Sequence, residues 1–169
     1  MKKINFREYI LGGQDGLVNV LGIVLGVASA TSNRNFVIIA GVVATVAESI
    51  SMGSVAFTST DAAKDYYKSG VREKLPKEFK SPLKSTLIVG LSTLIGSFIP
   101  LISFFLLPVR EAMVGALIIS GVALFIVGAL KAKLSVGKWY KSGFQLLVIG
   151  LLSALVGYVV GLLLKRYGL

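Results

Sequence analysis

The chain has 169 residues, 54% of them hydrophobic and 15% charged, with a net charge of +10 and a mean hydropathy of +0.81. It contains neither cysteine nor histidine, which excludes a disulfide framework, zinc fingers, thiol catalysis and histidine-based metal ligation. A water-soluble domain of this size has to mix polar residues into its outer faces. This chain instead holds several apolar runs of the ~20 residues needed to cross ~30 Å of hydrocarbon, and it reads as an all-α, polytopic integral membrane protein.

Five spans can be drawn, all helical because lipid offers no partner to open backbone groups. The first runs from about Arg7 to Ala30 and carries Glu8, Asp15 and Asn19. Lys2 and Lys3 ahead of an apolar stretch resemble a secretory leader, but Asp15 in the middle of that stretch, and its length, argue against one. The second span runs from about Asn35 to Tyr67. Its last turns, with Asp61, Lys64 and Asp65, are too polar for lipid and are expected to project into water. A basic link, Lys68–Lys80, follows and is too short for a folded domain. The third span, about Ser81 to Leu107, contains Pro100, which is expected to kink it. The fourth is about Glu111 to Leu134 and the fifth about Ser142 to Leu164, with Trp139 and Tyr140 in the link between them as interface anchors. No internal repeat is evident, and residues 1–169 read as a single transmembrane domain.

Lysine and arginine cluster on one side of this plan. Of the 18 basic residues, all but Arg34, Arg110, Lys165 and Arg166 fall at the N-terminus, around the second link, or around the fourth. By the positive-inside rule the N-terminus is expected in the cytoplasm and the C-terminus outside, or in a lumen. The positive charge therefore reads as a topology signal with some attraction to anionic lipid, and not as a nucleic-acid surface.

The chain holds eight acidic residues, and most lie in links or at span ends. Glu8, Asp15 and Glu48 do not. A carboxylate near the bilayer centre costs about 2.5–3.5 kcal/mol on insertion scales, so it normally faces a bundle interior or a wet cavity. Glu8 and Asp15, seven residues apart, share nearly one helix face, and Asn19 extends that stripe by one turn. Gly12, Gly13 and Gly16 leave the backbone around Asp15 bare for close approach by another helix or an ion. In "TVAESISMGSVAF" (Thr45–Phe57), Glu48 and Met52 form an i, i+4 pair on one face of the second span, with Ser51 as a possible polar support. Side-by-side packing of the first two spans would bring Asp15, Glu48 and Met52 to one cavity. Two carboxylates and a thioether suit a transition-metal cation better than sodium or magnesium, and carboxylates in low dielectric can exchange protons. The bland readings are a filler methionine, a hydrogen-bonded latch at Glu48 and a helix broken and capped at Gly16. Gly22-xxx-Gly26 and Gly157-xxx-Gly161 match the small-xxx-small packing pattern and are compatible with a helix-paired dimer. No enzyme site emerges, since no histidine base, thiol, phosphate loop or partnered nucleophile is present.

Two stretches, "REYILGGQDGLVNVLGIVLGVA" and "AGVVATVAESISMGSVAFTSTDAAKDYY", resemble the first two helices of the vacuolar iron transporter family. The likeness continues through "GSFIPLISFFLL", "GALKAKLS" and "KSGFQLLVIGLLSALVGYVVGLLL" and covers nearly the whole chain. The resemblance implies a five-helix protomer in a homodimer, exporting iron(II), and often manganese(II), from the cytoplasm in exchange for protons. No cofactor is held permanently, and the ion path follows the first helices at the dimer interface. Asp15 matches the family's mid-helix aspartate, Glu8 its acid at the cytoplasmic mouth and Met52 its pore methionine. The family's glutamate on the second helix falls at Ala44; Glu48 lies one turn along on a neighbouring face, and its substitution for that ligand is an inference from the residues and not from the resemblance. The long Glu- and Met-rich cytoplasmic metal-binding domain of the best-known iron transporters is replaced by the short basic Lys68–Lys80. The membrane implied is the plasma membrane in a prokaryote and a vacuolar-type membrane in a eukaryote.

The expectation is thus a proton-coupled metal exporter with Asp15 and Glu48 as ligands and proton carriers, Met52 as the soft ligand, Glu8 at the mouth, and Asn19 and Ser51 in support. The rival is a non-transporting scaffold or accessory subunit in which the acids only pair spans. A transporter of another cation is the remaining alternative.

Overall fold

Helices account for almost all of the computed structural model, which describes residues 3–68, 81–134 and 137–168. They are α1 (Lys3–Ala30), α2 (Arg34–Lys68), α3 (Pro82–Leu106), α4 (Val109–Leu134) and α5 (Trp139–Arg166). All five are long and apolar enough to cross a membrane. The basic link lies, from residue 69 on, outside the described residues. Trp139 and Tyr140 form the first turn of α5 rather than the link before it, and Arg110 belongs to the first turn of α4. Helix can continue into the interfacial layer because the backbone bonds need no lipid contact.

The contacts between helices fix the topology. Along α1 and α3, Gly12 meets Val89 and Ser92, and Gly16 meets Thr93 and Ser97, so the two helices run parallel. Gly22 and Gly26 of α1 meet Ser153 and Gly157 of α5 in the same sense. Gly41 of α2 faces Leu101 while Gly53 faces Thr86, so α2 is antiparallel to α3; Gly128 against Ser142 and Gly150 against Leu124 show the same for α4 and α5. The bundle is therefore up-down throughout, with α1, α3 and α5 pointing one way.

α1 is the central element, with Leu17, Val20, Leu21, Val24 and Leu25 buried. Lipid tails are as apolar as leucine, so burial alone does not drive helices together in a membrane; close packing of small residues does. Two such seams grip α1. On the first, a Cβ placed on Gly96 would lie 2.1 Å from the Gly13 carbonyl oxygen, and one on Gly16 would lie 2.4 Å from both Ser97 Oγ and the Thr93 carbonyl oxygen. On the second, a Cβ on Gly157 would lie 2.1 Å from the Gly22 carbonyl oxygen and one on Gly161 2.0 Å from that of Gly26. The two small-xxx-small motifs thus pack against each other within one chain, and the dimer they are compatible with in sequence does not need them. Gly12, Gly13 and Gly16 accommodate a helix, α3, and α1 runs unbroken through Gly16.

α2 leans chiefly on α3 and only lightly on α1, so the expected side-by-side packing of the first two spans is partial. The reason lies in the buried stripe Gly41, Thr45, Ser49, Gly53 and Thr60, whose small residues match those of α3. The Thr45 hydroxyl donates to the Gly41 carbonyl at 2.8 Å and the Ser49 hydroxyl to that of Thr45 at 2.7 Å, so both find partners within α2. α3 continues as helix through the buried Pro100 to Leu106, and Pro108 follows. Its C-terminal carbonyls gain a partner from α2: Arg34 Nε donates to the Phe104 carbonyl at 2.7 Å, and the guanidinium also donates to that of Phe105. A cation there satisfies orphan carbonyls and complements the helix dipole.

Candidate functional site

Asp15 sits twelve residues into α1, about 18 Å along the axis at 1.5 Å per residue, and Glu48 fourteen residues into α2, about 21 Å from its opposite end. Both therefore lie deep in the span. Asn19, one turn beyond Asp15, donates a hydrogen bond from Nδ2 to Glu48 Oε1, and the carboxyls of Asp15 and Glu48 lie close enough to interact directly. The light α1–α2 contact is thus where the polar groups of the two helices meet. Having given its N–H to Glu48, the Asn19 amide retains its oxygen as an acceptor.

The remaining site residues are placed differently. Met52 is half-buried one turn from Glu48, on the same face of α2. Ser51 is exposed. Glu8 is turned to α3, where the buried Ser85 donates to its Oε1 at 2.5 Å. Ala44 packs with the apolar cluster containing Val20 and Val24, while Glu48, one turn on, reaches Asn19. The acid of α2 thus stands where α1 turns from apolar to polar. Among the described residues no group of three or more carboxylates gathers. One chain offers a carboxylate pair, an amide and, a turn away, a thioether.

The wall of the site is open on one side. A groove of about 850 Å³ runs along α1 and α5, with Glu48 and Asn19 at one end and Gly22, Gly26, Ser153 and Gly157 along its floor. Ser153 donates to the Val18 carbonyl at 3.1 Å, so this floor is tied down beside Asn19. Ser85, Ser92, Thr93 and Ser97 form a hydroxyl-rich face of α3 behind Glu8 and Asp15 that the sequence reading passed over. Their spacing, with Gly96, at intervals of three, four and seven was the available signal.

The model of the VIT family matches residues 6–76 and 71–162, taking in the helices that bear Asp15, Asn19 and Glu48. The chain belongs to the VIT family. Among its relatives is an uncharacterized protein of Methanocaldococcus jannaschii, 30% identical over 91% of this chain and 87% of its own. The vacuolar iron transporter homolog 2 of Oryza sativa is 28% identical over 91% and 87%. The vacuolar iron transporter 1 of Arabidopsis thaliana is 21% identical over 90% and 83%. This member of the VIT family therefore matches these relatives along most of both lengths.

Proposed function

We propose that this chain exports a divalent transition metal, iron(II) or manganese(II), from the cytoplasm in exchange for protons. The observation that carries the proposal is the meeting of Asp15, Asn19 and Glu48 deep in the bundle at the end of an open groove. Family membership and the names of the relatives support metal as cargo. Carboxylate and amide oxygens suit a divalent cation, and the Met52 thioether biases the set toward a transition metal. Carboxylates bind metal only when deprotonated, so loading the site expels protons and unloading recovers them. Two carboxylates and an amide leave coordination positions for water and for a second protomer facing the groove, which supports a homodimer. Glu8, held by Ser85 on the lysine-rich side, receives the cation first.

Purified protein in liposomes tests this with iron, manganese, cobalt, zinc and magnesium, with and without a pH gradient. Asp15→Ala and Glu48→Ala should abolish flux; unchanged flux in both sinks the mechanism. The Asn19–Glu48 hydrogen bond would also serve a scaffold whose acids only pair helices. Asp15→Asn and Glu48→Gln separate the two, because an amide still hydrogen-bonds: a scaffold keeps assembly and function, whereas a transporter keeps assembly and loses metal flux.

A further inference from the structure

The lysine-rich end of the α4–α5 hairpin carries a second groove, remote from the carboxylates. It has a volume of about 440 Å³ and is lined by Phe125, Ile126, Ala129, Leu130, Lys133 and Trp139. Its apolar walls run from Phe125 to Lys133, eight residues or about 12 Å of helix, which is most of the ~15 Å of hydrocarbon in one leaflet. The indole of Trp139 stands edge-on to Phe125 with ring centroids 6.2 Å apart, and Tyr140 stands edge-on to Trp139 at 5.9 Å. The mouth is strongly basic: Lys131 and Lys133 lie in the last turn of α4, Lys138 is the N-cap of α5, and Lys141 lies in its first turn. The acid of this hairpin, Glu111, lies in the first turn of α4, at the opposite end from these lysines, and no acidic residue follows it in the chain.

We propose that this groove is a binding site for an anionic phospholipid, with one acyl chain along Phe125–Leu130 and the phosphate at Lys133 and Lys138. The two halves of the site match the two halves of such a molecule. An apolar channel of leaflet depth takes a chain, and the lysines at its interfacial mouth take a headgroup, with the aromatic pair at the level where Trp and Tyr prefer to lie. A topology signal needs the lysines but not a channel beneath them. The bound lipid would fasten the α4–α5 hairpin to one leaflet.

Trp139 is the sole tryptophan of the chain, so its fluorescence reports on the lipid around this one position. The full-length protein is reconstituted in bilayers carrying acyl-brominated phosphatidylglycerol or acyl-brominated phosphatidylcholine. The expected result is quenching at a severalfold lower mole fraction of the anionic lipid, with Lys133→Gln reducing that preference about fivefold. Lys84→Gln, the same charge change on α3 at the same side of the bundle, should leave it intact, and Ala129→Phe should weaken quenching by both lipids. Equal quenching by the two lipids overturns the proposal. So does an equal loss of preference in Lys84→Gln and Lys133→Gln, which means diffuse attraction, or no quenching by either, which means a second copy of the chain covers the groove.

Discussion

Replacing Gly96 with alanine probes how tightly the site's backing is built. The new Cβ would fall 2.1 Å from the Gly13 carbonyl oxygen and 2.9 Å from its carbonyl carbon and Cα. All three are backbone atoms, so no rotamer change relieves the clash, and α1 and α3 must part by about 1 Å before the atoms reach ordinary contact. Overpacking of this kind costs about 1–3 kcal/mol, with a backbone neighbour at the upper end. Alanine returns up to ~1 kcal/mol of helix propensity, leaving a net loss of about 2 kcal/mol. Gly53→Ala is the matched control, because its Cβ meets Thr86 at 3.4 Å, an ordinary distance; the propensity gain should stabilise that variant slightly. The two variants should therefore differ by about 3 kcal/mol in denaturant unfolding in detergent micelles. Gly13 is two residues from Asp15, so the displaced helix also carries the carboxylate away from Glu48, and metal flux in liposomes should fall in Gly96→Ala but not in Gly53→Ala. Equal stability of the two variants would refute the reasoning.

Further expectations concern the polar contacts. Asn19→Ala leaves the Glu48 carboxyl without its amide donor, at a cost of about 1–3 kcal/mol, and should lower both the melting temperature and metal flux. Arg34→Gln removes the guanidinium from the Phe104 and Phe105 carbonyls; because Arg34 is exposed, the loss should be about 1 kcal/mol, and Arg34→Lys should recover only part of it, as thermal melts will show. Adding Ala44→Glu to Glu48→Ala should not restore transport, since residue 44 packs against the Val20–Val24 cluster; recovered flux would contradict that placement.

The five helices were legible because hydrocarbon sets a length that apolar runs either reach or miss. Asp15 and Glu48 stood out for a related reason: each carries an insertion penalty that calls for a partner. Their partnership through Asn19 followed from helical spacing once α1 and α2 touched. The role of α3 was not legible. Ser92 and Thr93 bond to carbonyls of their own helix, so nothing in their local pattern marks them as the surface on which α1 rests. Arg34 read only as one of the few basic residues on the less basic side, because its partners lie some seventy residues away and no local rule joins it to the far end of another helix. The glycine motifs were visible, but a spacing of four does not state whether its partner is in the same chain.

The two glycine seams also have a mechanical consequence. α3 holds α1 through its first half and α5 holds it through its second, in both cases with carbonyl oxygens set against bare glycine backbone. A helix gripped so has no room to roll or slip, because close-packed surfaces switch between discrete arrangements and do not deform continuously. α1, α3 and α5 therefore act as one strut with Asp15 and Asn19 fixed to it. Glu48 rides on α2, which packs chiefly on α3 and touches α1 only lightly. Parting the two carboxylates would therefore mean moving α2 against α3, to whose last carbonyls Arg34 ties it.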